Sequence, residues 1–420
     1  METTGWRQKD DRTIAEMRGY MEREKLDVFL PSKPAHIAYL MDYWDVLHTA
    51  ILWEEMTAML AVPASGEAFV VGERGHLTGP EGADVHPWWV GELIDGDRPG
   101  GRQIERMVQA LRDKGLAGGR IGIERKWMPL AVYEQLRSGL PDAEFVSADL
   151  LVPQMGFIKT PREQGLMRKA AEVGIRAMEA YMGALRGGAS RREAEIARAQ
   201  RALECGGEWE GGPYRPAWTG GIDHTPAWWD VAARERFLSA RSRNWLELPD
   251  ESPFLVTHFE ARFQFYYCDM AWHELYGPEP DDEAVFSWGP RQATWAEARH
   301  DFEVLRRMQT EALNQVRPGM DHVSAKKALD DYLASDKELS AHFEDYYIHG
   351  VGLEIHEEPV LCGHVPVPTP LDGPIYFQPG AVVSSEWFSP LWTVEEPFVL
   401  TESGWAPLVE LKGLCDPFAP

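Results

Sequence analysis

The chain has 420 residues and carries 42 Lys+Arg against 67 Asp+Glu, a formal net charge of −25. Such a surface repels phosphates, so nucleic acid and polybasic membrane docking are excluded as expected partners. With 44% hydrophobic residues the chain can bury ordinary cores in two or three domains, and its 17 Trp form an excess that needs a cause.

Residues Met1 to Arg12 lack the apolar segment of a secretory signal. The most apolar early stretch, Met56 to Ala64, is about half a membrane span and is interrupted by Pro63, so it reads as a strand. Cys205, Cys268, Cys362 and Cys415 are scattered without a CxxC pair, which predicts neither structural zinc nor a disulfide scaffold, and a reducing cytoplasm is expected. Ile14 to Glu24 is amphipathic, Asp27 to Leu30 is a short strand, and Met56 to Val62 and Ala68 to Val71 flank Ala64-Ser65-Gly66 as a hairpin. Helix over Ile104 to Arg112 and strand over Arg120 to Glu124 complete an α/β N-terminal domain, residues 1–156.

Lys159-Thr160-Pro161 opens the second domain, residues 157–420. Thr160 can cap, Pro161 suits the first helical position, and Glu163 completes a capping box for a helix to about Leu185. A second box, Ser190 with Glu193, starts a helix that Gly206-Gly207 stops. Gln292 to Val316 and Asp321 to Ser335 read as helices separated by Pro318-Gly319, and Phe254 to Tyr267, Ala381 to Glu386 and Pro397 to Thr401 read as strand-like. The expected class is α+β, with long helices on a mostly antiparallel sheet. The polar segment from Thr225 to Pro253 is an insertion or a lid.

The densest chemical signal is HGVGLEIHEEP, His349 to Pro359. Its glycines let the backbone pass close to a neighbour, and His349 and His356 project imidazoles toward one cavity. Glu386 in AVVSSEW and Glu395 in WTVEEPF lie in or beside apolar strands, where an unpaired carboxylate costs several kcal/mol. A metal ion or a charged substrate would compensate them. Upstream, His258-Phe259-Glu260 and Cys268-Asp269 bracket a run that reads as strand, turn and strand.

In order and spacing these segments resemble the pita-bread hydrolases: methionine aminopeptidase, prolidase, aminopeptidase P, creatinase and their non-peptidase relatives. FIKTPREQGLMRKAAEVG, Phe157 to Gly174, is similar to that family's first catalytic-domain helix, and the N-terminal unit to the one that prolidases and creatinase add. The resemblance implies a C-terminal pita-bread domain, with long helices on a curved sheet, and metal ligands at Asp269, His349, Glu386 and Glu395. It also implies that His356 touches the substrate or the tetrahedral intermediate and that His224 is the acid/base histidine. His258 stands where the metal-dependent members carry their first Asp. Two outcomes therefore stay open: one divalent ion (Fe, Zn or Mn), or a metal-free site as in creatinase and ectoine hydrolase. No nucleotide cofactor is expected.

Trp44, Trp218, Trp228 and Trp387 stand near these residues in sequence, and aromatic faces attract desolvated cations by about 0.5–2 kcal/mol each. With Glu260 they form the expected substrate-binding set, for a small cationic or zwitterionic molecule. The expected function is hydrolysis of a C–N bond (amide, amidine or Xaa-Pro type), with His224, His356, Glu386 and His258 as catalytic groups. A second reading is a metal-dependent lyase acting on dimethylsulfoniopropionate, because ECGGEWEGG and YLMDYWDVLHTA are similar to that branch. A third is a non-catalytic binding protein on the same fold. Family resemblance implies a homodimer.

Overall fold

The computed structural model describes residues 11–41, 58–72, 90–96, 102–189, 191–207, 254–275, 279–288, 291–363, 373–389 and 391–409. They divide into two compact units, one up to Gly156 together with Gly373, the other from Phe157.

Apolar runs too short for helices build the first unit's sheet. Strands β1 (Val28–Leu30), β2 (Ala58–Pro63), β3 (Ala68–Gly72), β4 (Val90–Asp95), β5 (Arg120–Ile123) and β6 (Glu144–Ser147) lie in the order β4-β3-β2-β1-β5-β6. The expected hairpin is β2–β3, antiparallel, whereas β1 runs parallel to β5 and β5 to β6. β1, β2 and β3 are buried along their whole lengths, as continuous apolar runs require when both faces are covered. Helices α1 (Asp11–Arg23), α2 (Pro34–Met41), α3 (Gln103–Asp113) and α4 (Leu130–Gly139) accompany them, and a short helix, Leu151–Phe157, ends the unit. Just beyond β5, Glu124 is fully buried and accepts hydrogen bonds from the backbone N–H of Ser32 (2.6 Å) and Lys33 (2.7 Å), while pairing with His36 Nδ1. Burial pushes its carboxyl up, but the His36 interaction and the two N–H donors outweigh that and hold it below the ordinary range.

The second unit opens as its capping chemistry dictates. Thr160 accepts from the Glu163 N–H and Glu163 returns a bond to the Thr160 N–H, starting α5 (Pro161–Arg186). Helix α6 (Arg191–Glu204) follows; the expected Ser190 box lies outside the described residues. Helices α5 and α6 cover one face of the hairpin β7 (Phe254–Phe263) and β8 (Tyr266–Leu275), burying Ala170, Met178, Phe259, Cys268, Met270 and Trp272 together. The expected strand-like segment to Tyr267 is thus interrupted. Gln264 (φ 47°) and Phe265 (φ 70°) make a tight turn in the left-handed region, which Gly or Asn usually signals and these residues do not.

A second correction concerns the helix expected from Gln292. Arg291–Thr294 is strand β10, paired with β9 (Val285–Trp288), and Thr294 ends the pairing by capping α7 (Trp295–Arg307). The helix then loosens into a π turn, Met308–Ala312, and a 3-10 turn, Leu313–Gln315. Asp321 caps α8 (His322–Ser335). The main sheet is antiparallel throughout: β11 (Asp345–Gly350), β12 (Glu357–Cys362), β13 (Val382–Phe388), β14 (Thr393–Thr401) and β15 (Gly404–Pro407), in the order β12-β11-β13-β14-β15.

The alternation of this sheet separates packing from chemistry. On one face, Tyr346 meets Trp387 (ring centroids 5.1 Å), Gln309 donates to the Ser385 carbonyl (2.9 Å), and Arg306 pairs with Glu396 (2.6 Å). The other face carries Tyr347, His349, Ser384, Glu386 and Glu395. Strand β8 reaches that second face, where Ser384 Oγ donates to the Asp269 carbonyl (3.2 Å) and His273 Nε2 to that of Thr393 (2.5 Å).

Candidate metal and active site

Register brings the acids together. Glu260 lies directly opposite Asp269 on β7–β8, and Glu386 directly opposite Glu395 on β13–β14. Like charges in opposed positions are unfavourable unless a cation or a proton intervenes. Asp269 and Glu395 are buried, and the Asp269 carboxyl is pushed well above its ordinary value. Burial is the largest cause, followed by the charges of Glu395, Glu260 and Glu386 and a hydrogen bond with Glu395.

His349, fully buried, completes the arrangement. Its Nδ1 donates to the Gly350 carbonyl at 2.9 Å, which fixes the tautomer and leaves a lone pair on Nε2. Among the described residues that nitrogen has no hydrogen-bond partner, and it faces Glu395 Oε1 at 3.6 Å and Asp269 Oδ2 at 3.8 Å. An uncompensated buried acceptor is costly, and these separations suit donors sharing one ion with bonds of about 2.0–2.2 Å. His356 Nε2 is 3.9 Å from Asp269 Oδ2, and its ring centroid is 4.3 Å from that of His349. Ligand atoms of Asp269, His349 and His356 all lie within 4.8 Å of one another. The donor chemistry therefore fits a divalent ion.

This partly rearranges the expected ligand set. Asp269, His349 and Glu395 come together. Glu386 lies directly opposite Glu395 on the neighbouring strand, and His356, expected to touch substrate, has its Nε2 within reach of Asp269 and His349. Glu260 sits beside them by register. Trp387 requires a correction: it has no exposed surface, its indole N–H donates to Ser385 Oγ (2.8 Å), and it points to the packing face because it is one residue out of phase with Glu386. It is a core residue and has no access to substrate. His258 lies opposite Ala271 in the backbone register. His224, Trp44, Trp218, Trp228 and the segment from Thr225 to Pro253 lie outside the described residues.

Sequence reasoning missed Tyr347, two residues before His349 on the same face, whose ring centroid is 5.1 Å from that of His349 and 5.2 Å from that of His356. Burial, then the charges of Cys362, Glu386 and Glu358, pushes its hydroxyl up to about 12, so it stays a donor at neutral pH. Two-residue periodicity counted back from His349 would have found it.

Residues 165–404 match the model of metallopeptidase family M24, more than half of the chain. The chain belongs to metallopeptidase family M24. Residues 14–157 of this M24 protein match the creatinase/prolidase N-terminal domain. No curated protein sequence matches the chain. Its fold is similar to that of an Xaa-Pro dipeptidase from Bacillus anthracis, with TM-score 0.66 and 17% identity over 94% of this chain and 96% of that one. The prolidase from Pyrococcus horikoshii gives 0.64 and 16% over 95% and 98%. The N-terminal domain of a FACT complex subunit from Cicer arietinum gives 0.57 and 12% over 94% and 95%. At such identities the likeness establishes the pita-bread fold with its creatinase-type N-terminal domain. Among the described residues no helix is long and apolar enough to cross a membrane.

Proposed function

We propose that this M24 protein is a hydrolase of a C–N bond, of amide, amidine or Xaa-Pro type, in a small cationic or zwitterionic substrate, and that it uses a divalent ion held by Asp269, His349 and Glu395 with His356 beside them. The observation that carries this reading is the buried Nε2 of His349, its tautomer fixed and its lone pair aimed at Asp269 and Glu395. A divalent ion bound there supplies Lewis acidity and a water whose pKa is lowered toward neutrality. Asp269 and Glu395 balance the cationic charge. His356, 54% exposed at its side chain, is placed to donate a hydrogen bond to a developing oxyanion or leaving nitrogen, and the protonated Tyr347 hydroxyl is a second donor nearby. Glu260 and Glu386 add negative charge that favours a cationic substrate.

The test is a panel of Xaa-Pro dipeptides, small amidines and dimethylsulfoniopropionate offered to protein loaded with Mn²⁺, Zn²⁺ or Fe²⁺. The expected outcome is hydrolysis favouring cationic Xaa, lost on chelation and reduced about 100-fold or more in His349→Ala. Release of dimethyl sulfide instead would replace hydrolysis with the lyase reading. Turnover by the native protein that chelation and both His349→Ala and Glu386→Ala leave unchanged would place the reaction elsewhere, and a complete absence of turnover would favour a binding protein.

A further inference from the structure

His356 poses a mechanical problem. Its ring lies beside Asp269 and His349, yet its side chain is half exposed and sits in the loop 351–356 that precedes β12, not within a strand. Something must hold that loop against β8. Lys159, from the linker before α5, is almost completely buried, and its Nζ donates to Glu357 Oε2 at 2.8 Å across 198 residues of sequence. The other oxygen of Glu357 accepts the backbone N–H groups of Leu353 (2.7 Å) and Glu354 (3.2 Å), closing the loop on itself. The Tyr267 N–H donates to the Gly352 carbonyl (2.6 Å), tying the loop to β8 two residues from Asp269. Gly352 makes room for this: a Cβ there would stand 2.7 Å from Lys159 Cε and 2.8 Å from its Nζ.

A buried ammonium is costly to desolvate, and placing it on the carboxylate that folds the histidine loop gives the cost a role beyond packing. We propose that Lys159 is a positioning residue of the site, fixing the His356 ring over the Asp269–His349 pair through Glu357. This rests on His356 belonging to the site described above, but it requires no particular reaction. Removing the ammonium would take from Glu357, 19% exposed at its side chain, the ion pair that anchors it to the linker. The loop would then lose one of its ties, and His356, one residue from Glu357, would leave its place above His349.

Because the experiment reads the position of the ring, a wrong assignment of activity cannot decide it. Full-length protein labelled with ¹³C only at histidine ring carbons, with and without added Zn²⁺, should show a nuclear Overhauser contact between the His349 and His356 rings. Lys159→Met should lose the contact at an unchanged far-ultraviolet circular dichroism spectrum, and Lys159→Arg should restore it at least in part. Glu357→Gln is the second variant should Lys159→Met not fold, since it removes the ion pair but keeps an acceptor for the loop N–H groups; it too should lose the contact. A ring contact that persists in folded Lys159→Met or in Glu357→Gln overturns the proposal, as does its absence in the native protein. Failure of the hydrolysis panel alongside a contact that disappears in these variants would instead overturn the proposed reaction and leave the positioning role standing.

Discussion

Asp269 shows how a single carboxyl can link stability to ligand. Its proton is bound more tightly in the folded than in the unfolded chain, through burial first and the charges of Glu395, Glu260 and Glu386 next. For a group raised in the folded state the stabilising contribution is complete below its ordinary value of 3.8 and is lost as pH rises from there through the raised value. Ion-free protein should therefore lose stability across that window, and Asp269→Asn, which cannot ionise, should flatten the loss and raise the melting temperature above it. A divalent ion at about 100 times its Kd should stabilise the native protein by about 2.7 kcal/mol above the window and leave Asp269→Asn nearly unchanged, as thermal melts with and without the ion will show. Trp387 is the contrasting residue. Trp387→Phe should cost about 1–3 kcal/mol in denaturant titrations by opening a cavity and removing the indole donor to Ser385, with KM unaltered because the ring faces the packing side.

At the scale of elements, the close approach of α5 to β7 depends on a residue with no side chain. A Cβ on Gly174 would meet Phe259 Cε2 at 2.5 Å and Ala261 Cβ at 3.0 Å, both on the strand that places Glu260. Gly174→Ala should destabilise by about 1–3 kcal/mol, measured by urea unfolding, since Phe259 is fully packed and cannot simply rotate away. In the first unit the link between β5 and α2 is Glu124. Its carboxyl is held low in the folded state, so its contribution is present above 4.5 and lost as pH falls through the lowered value. Glu124→Gln should lose about 3 kcal/mol at neutral pH, because an amide cannot accept from Ser32, Lys33 and His36 together, and the difference from native should shrink in acid denaturation curves.

For the whole molecule, the charge of −25 surrounds the site with a field that draws in cations. If the substrate is cationic, kcat/KM should fall several-fold between about 0.02 M and about 0.2 M salt, while a zwitterionic analogue should respond weakly; stopped-flow measurements with matched dipeptides would separate the two. Much of this protein was legible from its residues. The Thr160 and Glu163 capping box, the hairpin around Ala64-Ser65-Gly66 and the apolar strands are local patterns whose chemistry is the same wherever the chain runs, whereas His349, Asp269 and Glu395 were singled out by resemblance. Other features were hidden for definite reasons. The Gln264-Phe265 turn uses residues that rarely take positive φ, and the polar Glu395-Glu396 pair masks a strand that is buried on both faces.

Read alone, the sequence offered motifs that resemble the family, the caps and strands of two units, and residue types able to hold an ion, because capping, periodicity and donor chemistry are properties of neighbouring residues. Only the tertiary structure decided which donors meet. Strand phase turns Trp387 to the core and Tyr347 to the site, cross-strand register stacks Glu260 on Asp269 and Glu386 on Glu395, and a lysine 198 residues away closes the loop that carries His356. Phase, register and long-range pairing are set by which surfaces pack, and no local pattern encodes them.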